Sequence, residues 1–125
     1  MPLESRFHIT VYTPCYLMLV WVIFGIDLGN RPITQQWYAR LSQAGEQCLR
    51  ALNPAEQELI RMRLGMGAGI PMGGMTLNQV ADVLGLGSFE VTRIEETAVR
   101  KLRHPVRSQP LRELLKEGGF IDAES

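Results

Sequence analysis

Hydrophobic residues recur along most of this chain with the period of a helix, and the clearest run is Thr76 to Pro105. Leu77, Val80, Ala81 and Leu84 fall on one helical face, behind a T-x-x-Q capping box made by Thr76 and Gln79. Gly85 stands where a helix ends in a left-handed residue, and Leu86 fills the turn that follows. Val91, Ile94, Ala98 and Leu102 then form the apolar stripe of a second, longer helix beginning at Gly87 or Ser88. That helix stops at His104-Pro105, because the residue before a proline leaves helical geometry. Short helix, glycine-bearing turn, longer helix is the pattern of a helix-turn-helix, whose second helix enters the DNA major groove. Any two packed helices joined by a glycine turn give a similar pattern, so the spacing alone leaves both readings open.

The flanking segments continue the helical pattern. Asn53-Pro54-Ala55-Glu56 is a helix start with an asparagine cap, a proline in the first turn and a glutamate that reaches back. The helix it opens carries Leu59, Ile60, Met62 and Leu64 and ends at Gly65. Before it, Thr34 is placed to cap a helix whose stripe is Trp37, Leu41, Ala44, Cys48 and Leu52, with Gly45 a weak point in its middle. This stripe reads as a core face, with dimerisation as the alternative. Ser108-Gln109-Pro110 opens a last short helix with Leu111, Leu114 and Leu115 on its apolar side. Gly118-Gly119 ends it, and the remainder reads as a tail.

Residues 7–26 break the pattern. They carry no formally charged residue, and the dense run is Tyr16 to Ile26. That run is short of the roughly 20 apolar residues a membrane helix needs, and Glu4 and Arg6 spoil it as a secretory leader. Its β-branched and aromatic content fits one or two buried strands broken at Thr13-Pro14. A membrane anchor and an unstructured leader stay as alternatives. The expected organisation is therefore an apolar extension and linker over 1–33, an all-α helix-turn-helix domain over 34–117, and a tail over 118–125.

Two motifs carry a resemblance to a known family. L-I-R-M-R-L-G, Leu59 to Gly65, and A-V-R-K-L-R-H-P-V-R-S, Ala98 to Ser108, stand in the right order and align without a gap through the helix-turn-helix. The stretch from about Leu52 to Leu115 resembles region 4, the C-terminal helix-turn-helix domain, of the primary, housekeeping-type sigma factors of bacterial RNA polymerase. The resemblance implies two partners, promoter DNA and the flap of the core polymerase β subunit. In that family the helix matching 54–64 helps hold the flap tip, which points to Leu59, Ile60 and Leu64. Its arginines approach the DNA backbone, which points to Arg61 and Arg63.

The second helix supplies the remaining candidates for DNA contact. Ser88, Phe89, Thr92, Arg93 and Glu96 lie outward in its first turns, where base edges are read. Arg93 suits guanine O6 and N7, Phe89 a thymine methyl, and Glu96 either cytosine or the orientation of Arg93. Arg100 and Lys101, with Arg103, His104 and Arg107, form a cationic cluster suited to phosphate. The chain departs from the family here. Where housekeeping factors carry V-T-R-E-R-I-R-Q-I-E, this chain has L-G-S-F-E-V-T-R-I-E. Ser88, Glu90 and Thr92 replace arginines, Phe89 a glutamate and Arg93 a glutamine. A different target sequence, or a fold that has lost base readout, is expected, with weaker DNA affinity than the family norm.

Composition removes several classes. Thirteen basic and 13 acidic residues cancel, so no global basic field announces nucleic acid. Two cysteines, Cys15 and Cys48, give no disulfide framework and fit a reducing cytoplasm. No Cys/His cluster has metal-ligand spacing, and Glu95-Glu96 are helix neighbours that point apart, so neither a metal, a cofactor nor an enzymatic activity is expected. The glycine- and methionine-rich run Gly65 to Met75 lacks the strand and Gly-Lys-Ser/Thr of a phosphate loop and reads as a flexible connection. The 125 residues leave no room for the region that melts promoter DNA in a full sigma factor. The expectation is a small sigma-like factor, such as half of a split factor working with a second sigma-like subunit, or a phage or mobile-element regulator. A flap-binding protein without sequence readout and a free-standing helix-turn-helix repressor are the alternatives.

Overall fold

A computed structural model of the chain describes residues 15–29, 31–67, 69–70 and 73–122. These residues form six helices and no strand: α1 (Cys15–Phe24), α2 (Gln35–Arg50), α3 (Pro54–Leu64), α4 (Leu77–Leu84), α5 (Ser88–Arg103) and α6 (Gln109–Glu117). The all-α class expected from the periodicity is the class observed.

The capping chemistry is the one the sequence implies. Thr34 Oγ1 accepts from the Trp37 amide at 3.1 Å. Asn53 Oδ1 accepts from Glu56 N at 2.8 Å while Glu56 Oε1 accepts from Asn53 N at 3.1 Å. Thr76 and Gln79 exchange the same reciprocal pair at 3.1 and 2.9 Å. His104 ends α5 in an extended conformation, as its proline neighbour requires.

The apolar run 15–24 corrects an expectation. It is helix α1, not strand. A short, continuous apolar run is equally compatible with a buried strand and a buried helix, and packing decides. Leu17, Met18, Leu19, Val20, Val22 and Ile23 are all buried, so this helix is apolar around its circumference because protein surrounds it. The Phe7–Thr13 part of the expected strands lies outside the described residues. No helix of the described residues is long and apolar enough to cross a membrane.

α1 packs on α2, α3 and α5, α3 on α5, and α2 on α6, around one core. The expected boundary at residue 33 thus falls between elements that share a core. Residues 118–122 are also more than a tail, since Phe120 packs on Trp37 with ring centroids 5.0 Å apart and planes tilted by 49°. The α2 stripe is a core face: Leu41 and Cys48 are fully buried, and Leu52 nearly so.

Gly45 explains itself through its neighbour rather than its helix. A Cβ there would lie 2.7 Å from Cδ1 of Tyr16, so the missing side chain is the notch in which the Tyr16 ring rests. Gly74 marks a second close approach. It has φ +88°, and a Cβ would stand 1.9 Å from the Arg63 carbonyl oxygen, so only glycine lets the 65–75 connection fold back onto the end of α3. Met75 N donates to Met62 O at 2.8 Å and fixes that return.

Candidate nucleic-acid interface

The candidate interface is built around the turn between α4 and α5. Gly85 adopts φ +67°, and the Leu86 amide donates to the Ala81 carbonyl at 3.0 Å, closing α4 and turning the chain through Leu86. Val80 and Ala81 of α4 are buried together with Val91, Ala98 and Leu102 of α5 in the common core. That packing fixes which side of α5 faces out. Phe89, Arg93, Glu96, Arg100 and Arg103 follow one another at alternating intervals of four and three, and all are exposed. They form a single outward stripe along the helix.

Within the stripe, the Arg93 guanidinium lies over the Phe89 ring, 5.8 Å from its centroid. Arg93 makes no ion pair with Glu96, so the expected orienting carboxylate does not hold it. Ser88 is exposed at the helix start. Thr92 turns its hydroxyl back, donating to the Ser88 carbonyl at 2.8 Å. Arg100 is exposed beside a groove of about 490 Å³ between α1 and α5, whose walls include Trp21, Val99 and Arg103.

Of the other candidate cations, Lys101, Arg61 and Arg63 are already engaged. Lys101 Nζ donates to Glu56 Oε1 at 2.9 Å. Arg61 forks onto Glu46 with bonds of 2.7 and 2.9 Å, and Tyr16 donates its hydroxyl to the same carboxylate at 2.6 Å. The Arg61 fork holds the Glu46 carboxyl down at about 2, with Tyr16 adding to the effect. Burial and the Glu46 charge push the Tyr16 hydroxyl well above its ordinary value. Arg63 is interior: its side chain is 3% exposed, its Nε donates to Glu95 Oε2 at 2.5 Å and its Nη1 to the Met75 carbonyl at 2.8 Å. Arg63 therefore joins α3, the 65–75 connection and α5 from inside, and does not reach a surface where phosphate would pass. Sequence spacing did not separate it from Arg61, because both lie in the last turn of α3.

The apolar side of α3 also differs from its expected role. Leu59, Ile60 and Leu64 are 0%, 2% and 2% exposed. They face the core that α1 and α5 complete, so in this conformation they offer no surface to a second protein. The sequence held no sign of the links that carry α1 into that core: Tyr16 to Glu46, and Arg103 to the Val22 carbonyl at 3.1 and 2.9 Å. Both cysteines are free, Cys15 half-buried and Cys48 buried, and burial pushes both thiols up. Among the described residues, no three His, Cys, Asp or Glu side chains gather as a metal site.

A short capped helix, a left-handed glycine turn and a longer helix with a polar outward stripe define the DNA-binding helix-turn-helix class. The family model for sigma-70, region 4 matches residues 48–104, which contain α3, α4 and α5. The chain is 35% identical over 88 residues to RNA polymerase sigma factor SigA of Listeria monocytogenes, covering 70% of this chain and 23% of that protein. It is 33% identical over 99 residues to RNA polymerase sigma factor RpoD of Neisseria gonorrhoeae, covering 78% of this chain and 14% of that protein. Residues 48–104 thus belong to the sigma-70 region 4 family. The chain spans about a quarter or less of the length of these curated relatives. No solved structure matches the chain significantly.

Proposed function

We propose that the chain acts in transcription initiation as a sigma-like factor, meeting promoter DNA through the outward stripe of α5 and joining the RNA polymerase core. The observation that carries this reading is the stripe itself: in a region 4 segment, α5 keeps its packing residues and turns Ser88, Phe89, Arg93, Glu96 and Arg100 to solvent. Phosphate contact falls to Arg100 and, beyond the helix, to the exposed Arg107. Arg61, Arg63 and Lys101 are spent on internal carboxylates and serve the fold. The protein is read as a binding module with no catalytic group, no cofactor and a cytoplasmic place of work beside the polymerase.

The β flap is the proposed docking point on the core, and a second sigma-like subunit would supply what one helix-turn-helix does not. With Leu59, Ile60 and Leu64 inside, a flap contact uses either the outer rim of α3 or a conformation in which α1 has moved. A flap-binding protein that does not read sequence is the second reading, favoured by Phe89 and Ser88 standing where the family carries charged residues. The deciding measurement is binding of the purified chain to core polymerase, with and without the flap tip, and to promoter libraries in both states. Flap-dependent binding with sequence enrichment supports the first reading. Flap-dependent binding with none supports the second, and DNA binding without polymerase binding moves the chain to a free-standing regulator.

A further inference from the structure

Phe89 is 73% exposed, one of three large apolar side chains left in solvent among the described residues. It has no part in the core of α5, which is served by Val91, Ala98 and Leu102. It carries the Arg93 guanidinium on its face. Of the other early positions, Thr92 has its hydroxyl bound to the Ser88 carbonyl, while Ser88 and Glu90 are exposed. Beside Ser88 and the Glu90 carboxylate, the first two turns of α5 therefore present a ring and a guanidinium held together.

We propose that Phe89 and Arg93 form one reading unit for a thymine beside a guanine. The inference rests on the reading above that α5 meets DNA. Phe89 seats its ring on the thymine C5-methyl and positions the guanidinium of Arg93 toward O6 and N7 of the guanine. Each half follows from groove chemistry. Guanine offers two acceptors that a planar fork matches, and thymine offers a methyl group to an apolar surface. Residues four apart on a helix have Cβ atoms about 5–6 Å apart, close enough to serve neighbouring base pairs at a rise of about 3.4 Å. A free arginine loses rotamer freedom when it grips a base, and the ring removes part of that freedom beforehand. Phe89 is thus both a reader and a positioning residue, and its second role is separable from its first.

The test begins with selection from random duplexes by the full chain, alone and with core polymerase. The selected duplex is then remade with deoxyuridine for the thymine, which removes only the methyl, and with 7-deazaguanine for the guanine, which removes only N7. Each change is expected to weaken the wild-type chain about fivefold or more. Phe89→Ala should become indifferent to deoxyuridine and lose part of its guanine preference. Phe89→Leu, which keeps an apolar surface without a ring, should stay sensitive to deoxyuridine while its guanine preference weakens, and Phe89→Tyr should restore both. If deoxyuridine costs the wild type nothing, or Phe89→Ala keeps full guanine preference, the paired unit is overturned while Arg93 sensitivity still supports α5 as the recognition helix. If no sequence is enriched, or the selected sequence is untouched by both Phe89→Ala and Arg93→Ala, the recognition reading falls as well, and Phe89 is left as a protein-facing residue.

Discussion

Arg103 and Val22 lie 81 positions apart and are joined by a forked bond: Nε and Nη2 of the arginine both donate to the valine carbonyl, at 3.1 and 2.9 Å. The last turn of a helix leaves carbonyls without intrahelical partners, and here a cation from α5 serves one of them for α1. Arg103→Ala should lower stability by about 1–2 kcal/mol in urea unfolding, with Arg103→Lys losing less because one donor and the charge remain.

Gly45 gives a prediction whose sign depends on its partner. In a helix interior alanine is favoured over glycine by about 1 kcal/mol, but here the new methyl meets the Tyr16 ring, and such overpacking costs about 1–3 kcal/mol. Gly45→Ala alone should destabilise. In a Tyr16→Ala background the same change should be neutral or stabilising. Thermal melts of the four proteins of this cycle decide it.

Arg63 is the buried cation among the described residues. Arg63→Met leaves Glu95, 12% exposed at its side chain, without its cation, and should cost about 3–5 kcal/mol. Pairing it with Glu95→Gln or Glu95→Leu should recover much of the loss. Arg93→Ala, on the solvent face, should change stability by less than about 0.5 kcal/mol. Chemical denaturation of this set separates structural from surface arginines.

Acid should weaken the α1–α2–α3 junction in a defined window. Glu46 is held at about 2, below its ordinary 4.5, so its contribution is complete above pH 4.5 and is lost as pH falls toward 2. Stability measured between those limits should fall less steeply in Glu46→Gln than in the wild type. Identical slopes would remove Glu46 from the acid response.

Salt should reveal how few cations face the DNA. If Arg100 and Arg107 are the main phosphate contacts and Arg93 meets a base, as proposed, the logarithm of affinity should fall against that of salt with a slope of about −2 to −3. Arg100→Ala should reduce the slope by about one while leaving sequence preference in place.

Legibility in the sequence followed the kind of physics involved. Local chemistry was readable: the Thr34, Asn53 and Thr76 caps, the Gly85 turn and the stop at His104-Pro105 all depend on residues a few positions apart. The outward stripe of α5 was readable too, because a buried stripe at helical spacing defines the opposite side. What escaped was set by long-range packing. The run 15–24 looks the same to a strand and a buried helix until its neighbours are known. Arg61 and Arg63 differ by half a turn, and only the positions of Glu46, Glu95 and Met75 show that neither is a free surface cation. Gly45 read as a weakness until the ring of Tyr16 filled its notch.

The inward turn of the α3 arginine has a consequence for how this protein would find its target. A factor whose 13 basic and 13 acidic residues cancel, and which pairs several of its cations internally, would attract DNA from a distance only feebly and pass most sequences without pausing. Discrimination between sites would then matter only once a tether has raised the local concentration of DNA around α5, as linkage to a second bound surface does. Under that arrangement the polymerase would supply residence and the small domain would supply choice. The same weakness alone is what would keep an unattached copy from occupying promoters unproductively.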